Sequence, residues 1–460
     1  MTINRDRFLA FHRSAAGGTR PLTFGAGLQG ALLCAYALFG KGAAYVGVEP
    51  FYVGEFALLC GVLCFVRKPR SWQSFLTWPS AVLVLYMVWG LCRTIPYVGE
   101  YGVYAFRDGV LWAYGIFAFT VAGFILAEPT LLFTATRILS RFSTVYLMLM
   151  PAIGVLFQTR FDVLPRVGPA ADATFPHFKA GDSMVHLAAI TAAFVFGTIP
   201  SNTAKIALLV AGIVLCSYSR AAILAYAAAM IVLFLLKPAH KWWTIAALFA
   251  GASTILLALT DVSIPITENR EISFRQLTEN VNSLLTGTEL DAGSRNGTKV
   301  WRLQWWDKII GYTIHGDLLW TGKGFGINLA TSDNILTGPE RGIRSPHNGH
   351  LTVLARSGVI GLSLWVTLNL LWAIRIVGYY RLSRLWADTR WNKLFGVLLV
   401  YWAAFMVNAA FDVYLEGPVG GIWYWSVFGV GIAAPMVCRR RVPVLKLRRP
   451  TRQAIVRETA

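Results

Sequence analysis

Two histidines stand at the start of a long apolar run, in the stretch SPHNGHLTVLARSGVIG. Ser345 is a plausible helix N-cap and Pro346 suits the first helical position, which predicts His347 in the first turn of a helix. His350 then lies on nearly the same face. Because the positive end of a helix dipole disfavours imidazolium, His347 is expected to be neutral and able to accept a proton, as a general base must. A single histidine at a membrane surface is more often an interfacial polar residue, so this interpretation depends on its neighbours.

Arginines at three places could bind an anion. Arg220 follows a Ser-Tyr-Ser turn at the predicted start of another apolar run, where capping serines and free backbone N–H groups favour an anion. Arg295, Lys299 and Arg302 are spaced by four and three residues and would form a cationic stripe on one helical face. A guanidinium binds phosphate oxygens bidentately, which favours a phosphate-bearing ligand. The alternatives are an arginine reaching to the membrane surface and a solvated helix face.

Metal-binding patterns are not found in the sequence. It has no D-x-D pair and no H-E-x-x-H, and the close acidic pair near the outer side of a span is Asp412 with Glu416, which we expect to share a helical face. The glycine-rich stretch at 322–326 lacks the spacing of a nucleotide-binding loop and is predicted to be a turn. We therefore predict neither a metal nor another cofactor, and arginine as the source of positive charge.

The elements that position these residues follow from composition. Hydrophobic residues make up 56% of the 460 residues and charged residues 14%, whereas a globular chain carries about 25% charge. The chain is therefore predicted to be an all-α, polytopic membrane protein. Runs long enough to cross a bilayer give about twelve predicted transmembrane helices, near 22–40, 50–66, 77–95, 108–127, 136–157, 184–200, 203–218, 220–236, 242–260, 349–374, 394–412 and 418–438.

Charge distribution gives the expected orientation. Lys and Arg concentrate in alternate connecting segments and in both terminal tails, which predicts that both termini are cytoplasmic. Most of the net charge of +19 is then a topology signal and an attraction to anionic membrane lipids. No basic stripe with interleaved aromatic residues is present, so no nucleic-acid partner is predicted. The six cysteines lie in or beside predicted spans, and no disulfide framework is implied.

Four segments follow from this reading. Residues 1–260 hold spans one to nine behind a cytoplasmic N-terminus, and 261–348 form a large outer loop with two short amphipathic helices, near 274–285 and 301–312. These helices could lie on the membrane surface or cap the bundle. Residues 349–438 hold spans ten to twelve, and 439–460 form a basic cytoplasmic tail.

The histidine stretch resembles a known family motif. His347-Asn348, nine residues, then Gly358-x-x-Gly361 is similar to the pattern H-[NSQ]-x9-G-x-x-[GTY] of the O-antigen ligase and polymerase superfamily. About twelve spans and one large loop directly before the motif agree with that family. The resemblance implies a GT-C-like helical bundle in a bacterial inner membrane, with its active site facing the periplasm.

The same resemblance implies the partners and the roles of the residues. The donor would be O-antigen linked to undecaprenyl diphosphate, and the acceptor would be lipid A–core. His347 would remove a proton from the acceptor hydroxyl, with Asn348, Gly358 and Gly361 as supporting motif positions. The departing diphosphate would be bound by Arg220 and by the loop arginines, among which Arg302 matches the family best and Arg295 second. The reaction would be metal-independent and inverting.

Other functions stay open at this stage. An O-antigen polymerase or a protein O-oligosaccharyltransferase would share the motif and differ in the acceptor. A transporter of lipid-linked sugar would also have about twelve spans, but transporters usually place charged sites near the membrane midplane. The candidates here collect at the outer rim and in the outer loop, which favours catalysis on a membrane-bound substrate.

Overall fold

The computed structural model describes residues 20–48, 51–168, 173–238, 240, 264–267, 270–272, 294–335 and 343–446. These residues are mostly helical. The first ten helices are α1 (Arg20–Ala44), α2 (Val53–Val66), α3 (Trp78–Thr94), α4 (Val98–Tyr101), α5 (Val103–Ala113), α6 (Ile116–Ala127), α7 (Thr130–Thr159), α8 (Ala180–Val195), α9 (Thr203–Cys216) and α10 (Arg220–Leu236). The later ones are α11 (Ser294–Thr313), α12 (Leu329–Ser332), α13 (Gly349–Leu385), α14 (Thr389–Ala410) and α15 (Pro418–Lys446).

Short elements connect the helices. Three antiparallel pairs of strands are present, β1 (Gly47–Val48) with β2 (Phe51–Tyr52), β3 (Arg166–Val167) with β4 (Ala173–Thr174), and β5 (Ile264–Thr267) with β6 (Arg270–Ile272). Short 3₁₀ helices occupy Pro69–Phe75, Ile95–Tyr97, Phe161–Val163 and Tyr414–Glu416. None of these elements forms a layer of its own, and helix packing makes the core.

Several helices are long and apolar enough to cross a membrane. Six qualify in the described part of the chain, and α5 with α6, bent by 43°, makes up to seven. The apolar helices α2, α8, α9 and α10 are shorter. The protein is therefore a helical, multi-pass membrane protein, as predicted. The number twelve stays a prediction, since six or seven of the described helices qualify as spans and the stretch 242–260 lies outside the described residues.

The Ser-Tyr-Ser turn divides two helices, as predicted. Helix α9 ends at Cys216, and the hydroxyl of Ser219 accepts a hydrogen bond from Ala222 N at the start of α10. A serine at this position satisfies a backbone N–H that the first helical turn cannot. Arg220 is consequently the first residue of α10.

Contacts at the helix ends define the two ends of the bundle. Tyr380, near the end of α13, donates to Leu236 O at the end of α10, and Phe196 after α8 packs against Tyr380. The starts of α8, α10 and α13 therefore lie together at the other end. We call this the histidine end, because His347 directly precedes α13 there.

Aromatic side chains fill the centre of the bundle. Trp372 is buried between α13 and α15 and donates to Phe428 O over 2.9 Å. The buried amide oxygen of Asn369 accepts hydrogen bonds from Tyr424 Oη and Trp402 Nε1. Because this polar group has partners, it costs little in the apolar core and fixes the relative position of three helices.

Helix α11 caps the histidine end. The prediction of a helix near 301–312 is confirmed, and Trp305 and Ile309 are buried against the start of α13. Trp305 donates to the carboxylate of Asp333 over 2.6 Å, and Trp306 donates to Pro346 O over 2.9 Å. The packing of this helix favours the capping role over a position on the membrane surface. The other predicted helix, 274–285, lies outside the described residues.

Candidate active site

His347 lies just outside the helix that was predicted to contain it. Helix α13 begins at Gly349, and its N-cap is Asn348, whose side-chain oxygen accepts from His350 N and Leu351 N, both over 3.1 Å. The prediction of Ser345 as N-cap was therefore wrong, because an asparagine closer to the apolar run caps more effectively at this point. His347 has a positive φ of 52°, an uncommon conformation that projects it from a tight turn.

The imidazole of His347 sits among an aromatic ring, a carboxylate and two cations. The ring of Trp301 meets it edge-on at a centroid distance of 5.8 Å. Its Nδ1 is 4.0 Å from Asp412 Oδ1, and 26% of its side chain is exposed. Such a group is both positioned by its neighbours and open to a substrate.

The pKa of His347 is lowered to about 4. Burial is the largest cause, the positive charges of Arg302 and Lys179 lower it further, and the Asp412 carboxylate partly opposes them. A lowered pKa favours the neutral imidazole, the state that a general base needs. The cause differs from the prediction, because burial and neighbouring cations dominate at a residue that precedes the helix.

Asp412 and Lys179 complete this group and were not singled out from the sequence as site residues. Lys179 is the N-cap residue of α8, and its Nζ is 2.5 Å from Asp412 Oδ2. The other carboxylate oxygen of Asp412 accepts from Val413 N over 2.8 Å. Deeper in α8, Asp182 receives a bond of 3.5 Å from Asn408 Nδ2. A usable sequence signal was the position of each charge at the edge of an apolar run.

Arg302 reaches the same place from α11. Its guanidinium lies over the ring of Trp301, 5.6 Å from the centroid, and Nη1 is 3.5 Å from Phe411 O. The hydrogen bond from Trp306 to Pro346 O holds α11 beside the turn that contains His347, which we call the histidine turn. The structure therefore brings together His347 and Arg302, two of the predicted site residues that are far apart in sequence.

Helix α13 is broken at Gly358, and the conformation at this break explains why the motif has a glycine at this position. Its φ is 65° within an otherwise helical segment. A Cβ at this position would stand 2.4 Å from the carbonyl carbon of Trp320, which no real side chain permits. At Gly361 a Cβ would stand 1.9 Å from the buried hydroxyl of Ser357. Both glycines therefore allow close approach of neighbouring atoms.

Backbone carbonyls next to the break accept hydrogen bonds from the glycine-rich turn and from Trp89. Lys323 N donates to Ala355 O over 2.7 Å and Gly324 N donates to Arg356 O over 2.9 Å. The indole of Trp89 donates to Ser357 O over 2.8 Å. Three carbonyls that the helix no longer uses are thus satisfied. The prediction that residues 322–326 form a turn is confirmed, and the turn supports the motif helix.

A sequence model of the O-antigen ligase family matches residues 206–366. This range contains the histidine turn, both motif glycines and all three predicted arginine positions. Residues 206–366 are therefore similar to the O-antigen ligase family. Members of the family are membrane glycosyltransferase-like enzymes, ligases or polymerases. No curated protein matched the chain.

The two other arginines predicted for the site are Arg220 and Arg295. Arg220 is half-buried as the first residue of α10, at the histidine end of the bundle. Arg295 lies in the first turn of α11, but its side chain is outside the described part of the structure. The predicted roles of both residues therefore stay predictions.

A buried charged network lies next to the O-antigen ligase motif and was not predicted. Arg356 is 2% exposed, and its Nη2 is 2.9 Å from Asp108 Oδ2. Arg344 Nη2 reaches the same oxygen over 3.1 Å and donates to Gly326 O over 2.8 Å. Arg356 also donates to Gly324 O and Ile327 O. These bonds tie α5, the glycine-rich turn and α13 together.

Asp412 and Glu416 do not share a helical face. Helix α14 ends at Ala410, so Asp412 lies in a bend and Glu416 in the following 3₁₀ turn. Glu416 accepts a bond of 2.8 Å from the Thr352 hydroxyl, while Asp412 faces Lys179. Among the described residues, no three His, Cys, Asp or Glu side chains are grouped to hold a metal ion.

Proposed function

We propose that this protein is an O-antigen ligase, which transfers O-polysaccharide from undecaprenyl diphosphate to lipid A–core in the periplasmic leaflet of a bacterial inner membrane. The observation that carries the proposal is the meeting of a neutral, partly exposed His347 with Arg302 and Lys179 inside or beside the matched domain. A base and fixed cations are what transfer from a diphosphate requires.

The proposed step is a direct displacement. His347 takes the proton of an acceptor sugar hydroxyl as that oxygen forms a bond to the anomeric carbon of the donor. The bond from this carbon to the diphosphate oxygen breaks, and undecaprenyl diphosphate leaves with the electron pair. Since attack is opposite to the leaving group, the anomeric centre is inverted.

The carboxylate of Asp412 supports the positive charge that forms on His347. Nδ1 is the ring nitrogen whose distance to Asp412 is 4.0 Å. We therefore assign the proton-accepting role to Nε2, with Nδ1 carrying a hydrogen that faces the carboxylate. Asp412 is in this scheme a positioning residue.

The cations serve the leaving group. Arg302, with Arg220 and Arg295, would bind the diphosphate oxygens and stabilise the charge that develops as the bond breaks. Binding of the anionic donor would also offset the cations that lower the His347 pKa. The base would then become stronger when donor is present.

A parallel transfer assay tests this proposal. Purified protein is given undecaprenyl-diphosphate-linked O-antigen and, separately, lipid A–core, free lipid-linked repeat unit or a pilin-like peptide, with and without EDTA. We expect transfer to lipid A–core, with inversion, and no loss in EDTA once lipopolysaccharide aggregation is controlled. Transfer only to the repeat unit would establish a polymerase, and transfer only to the peptide would establish a protein O-oligosaccharyltransferase.

The same preparation distinguishes transport from catalysis. In sealed vesicles, a protein that moves donor across the bilayer but never joins it to an acceptor is a transporter. That result would overturn the proposed function.

A further inference from the structure

An apolar groove opens on the side of the bundle between α2, α3 and the bent pair of α5 with α6. Its volume is about 330 Å³, at the lower end of the range for ligand pockets. Its lining is hydrophobic apart from Thr120 and includes Phe65, Phe75, Met87, Val88 and Trp112. Val88 is 51% exposed, so the groove opens outward.

The groove lies at the depth of the membrane. The helical segment Trp78–Tyr101, which contains α3, and the α5–α6 pair are both long and apolar enough to span a bilayer. The surface into which the groove opens is therefore the one that faces lipid. A hydrocarbon chain from the surrounding bilayer fits the chemistry of such a lining.

One end of the groove is continuous with a basic segment. Phe65 and Phe75, which line the groove, flank the sequence from Arg67 to Arg70. Arg67 and Arg70 are exposed, and Arg440 of α15 donates to Gln73, which shares the 3₁₀ helix Pro69–Phe75 with Arg70. Three exposed guanidiniums therefore surround this end.

Aromatic rings join the basic segment to the groove. The Phe75 ring stacks on Phe119 at a centroid distance of 4.5 Å, and Trp72 packs against Phe65 and Phe75 at 5.7 and 5.9 Å. Trp72 is 52% exposed. An exposed tryptophan beside arginines is typical of the level of lipid headgroups.

This end is remote from the candidate active site. Helix α3 begins at Trp78, beside the basic segment, and runs to Arg93, whose Nε donates to Thr321 O next to the glycine-rich turn. The basic end of the groove therefore lies at the end of the bundle opposite to His347. A lipid bound there belongs to the other leaflet from the proposed reaction.

We propose that this groove is a binding site for an anionic phospholipid, with its phosphate on Arg67, Arg70 and Arg440 and one acyl chain along Phe75 and Val88. Basic side chains alone attract anionic lipids without defining a site. An apolar groove alone accepts any chain. The two together select a lipid that has both a negative headgroup and a chain in the leaflet opposite to His347.

Native mass spectrometry of the full chain in detergent tests this site, with phosphatidylglycerol and phosphatidylethanolamine as the two probes. We expect tighter binding of phosphatidylglycerol. The triple variant R67Q/R70Q/R440Q should weaken its binding about tenfold and remove the preference between lipids. Val88→Trp should fill the groove and weaken binding of both lipids about tenfold.

Matched controls separate this site from general effects. The variant R137Q/R141Q/R390Q removes the same charge from exposed positions elsewhere, and Leu370→Trp adds a tryptophan to an exposed position on α13. Both should bind phosphatidylglycerol like the unmodified protein, with unchanged thermal midpoints. Equal binding of the two lipids, an equal loss in the control triple variant, or full binding by a folded Val88→Trp protein would each overturn the proposal.

Discussion

Two charged clusters lie at the first turns of α13, and they differ in how far their charged side chains are exposed. At the start, His347 and Asp412 are 4.0 Å apart, and 26% of the His347 side chain and 38% of the Lys179 side chain are exposed. Nine residues on, Arg356 binds Asp108 over 2.9 Å, with 2% and 8% exposed.

The comparison separates two uses of charge. In the Arg356 cluster the guanidinium nitrogens bind a carboxylate and two carbonyls, so little bonding capacity is left for a substrate. In the His347 cluster Lys179 Nζ lies 2.5 Å from Asp412 Oδ2, but the imidazole is 4.0 Å from the carboxylate and the side chains of His347 and Lys179 are partly exposed. Charge that is satisfied inside the protein holds the fold, whereas charge that is held in place but accessible can act on a ligand.

The largest expected effect is on the reaction itself. His347→Ala removes the proposed base and should lower the transfer rate by about 10² to 10⁴-fold. Donor binding and the thermal midpoint should stay close to those of the unmodified protein, because His347 donates no hydrogen bond that ties helices together within the described part of the structure. Rates are measured with purified protein at saturating donor.

His350 is the matched control for that variant. Its Nε2 donates to Met406 O and its Nδ1 accepts from Trp365 Nε1, both over 3.0 Å, so both ring nitrogens are used within the fold. His350→Ala should lower stability yet keep substantial transfer per folded molecule. If the two histidine variants ranked the other way in transfer rate, His350 would be the base.

Substitutions in the Arg356 cluster should lower the free energy of unfolding. Arg356→Met leaves the Asp108 carboxylate buried with less compensation, and we expect a loss of about 3–5 kcal/mol in unfolding free energy. The double variant D108N/R356M should recover part of it. Stability is measured by thermal unfolding in detergent. An Arg356→Met protein with normal stability but no transfer activity would contradict the structural role assigned to the Arg356 cluster.

Arginines proposed to meet the donor should alter its affinity. Arg220→Ala and Arg302→Ala should each weaken donor binding and also lower the transfer rate, since a diphosphate contact strengthens as charge develops. Each lost charged hydrogen bond corresponds to about tenfold in affinity. Binding is measured with a labelled donor in the absence of acceptor. Unchanged donor binding in both variants would remove them from the diphosphate site.

The break in α13 at Gly358, two residues after Arg356, can be tested separately. Gly358→Ala forces a side chain into a positive φ and against Trp320, which should cost about 1–3 kcal/mol in unfolding free energy. Gly378→Ala, in the same helix and with open space around it, should cost nothing or stabilise slightly. Equal thermal midpoints for both variants would show that the break is unimportant.

The smallest effect concerns the titration of His347, whose pKa is lowered to about 4. Removing a cation should raise this pKa, so Arg302→Gln should shift it upward. Removing an anion should lower it, so Asp412→Asn should shift it downward. The histidine resonances of isotope-labelled protein report these shifts, with His347→Asn to assign the signal. Shifts of the opposite sign would contradict the cluster geometry.

Local residue patterns in the sequence predicted where the helices lie and which motif residues belong together. Apolar runs predicted helices at twelve stretches, and the structure places helices in eleven of them, while 242–260 lies outside the described residues. The motif spacing predicted that His347, Gly358 and Gly361 act together. These features are readable because helix formation, capping and span length depend on residues a few positions apart.

Tertiary structure alone decided which charges meet. Lys179, Asp412 and His347 are separated by at least 65 positions along the sequence, and Asp108 meets Arg356 across an even longer interval. The ends of helices from distant parts of the chain become neighbours only through packing of the bundle. Helix periodicity says which face a residue occupies, but it does not say which other helix that face contacts, and that contact decided which arginine supports the fold and which faces the reaction.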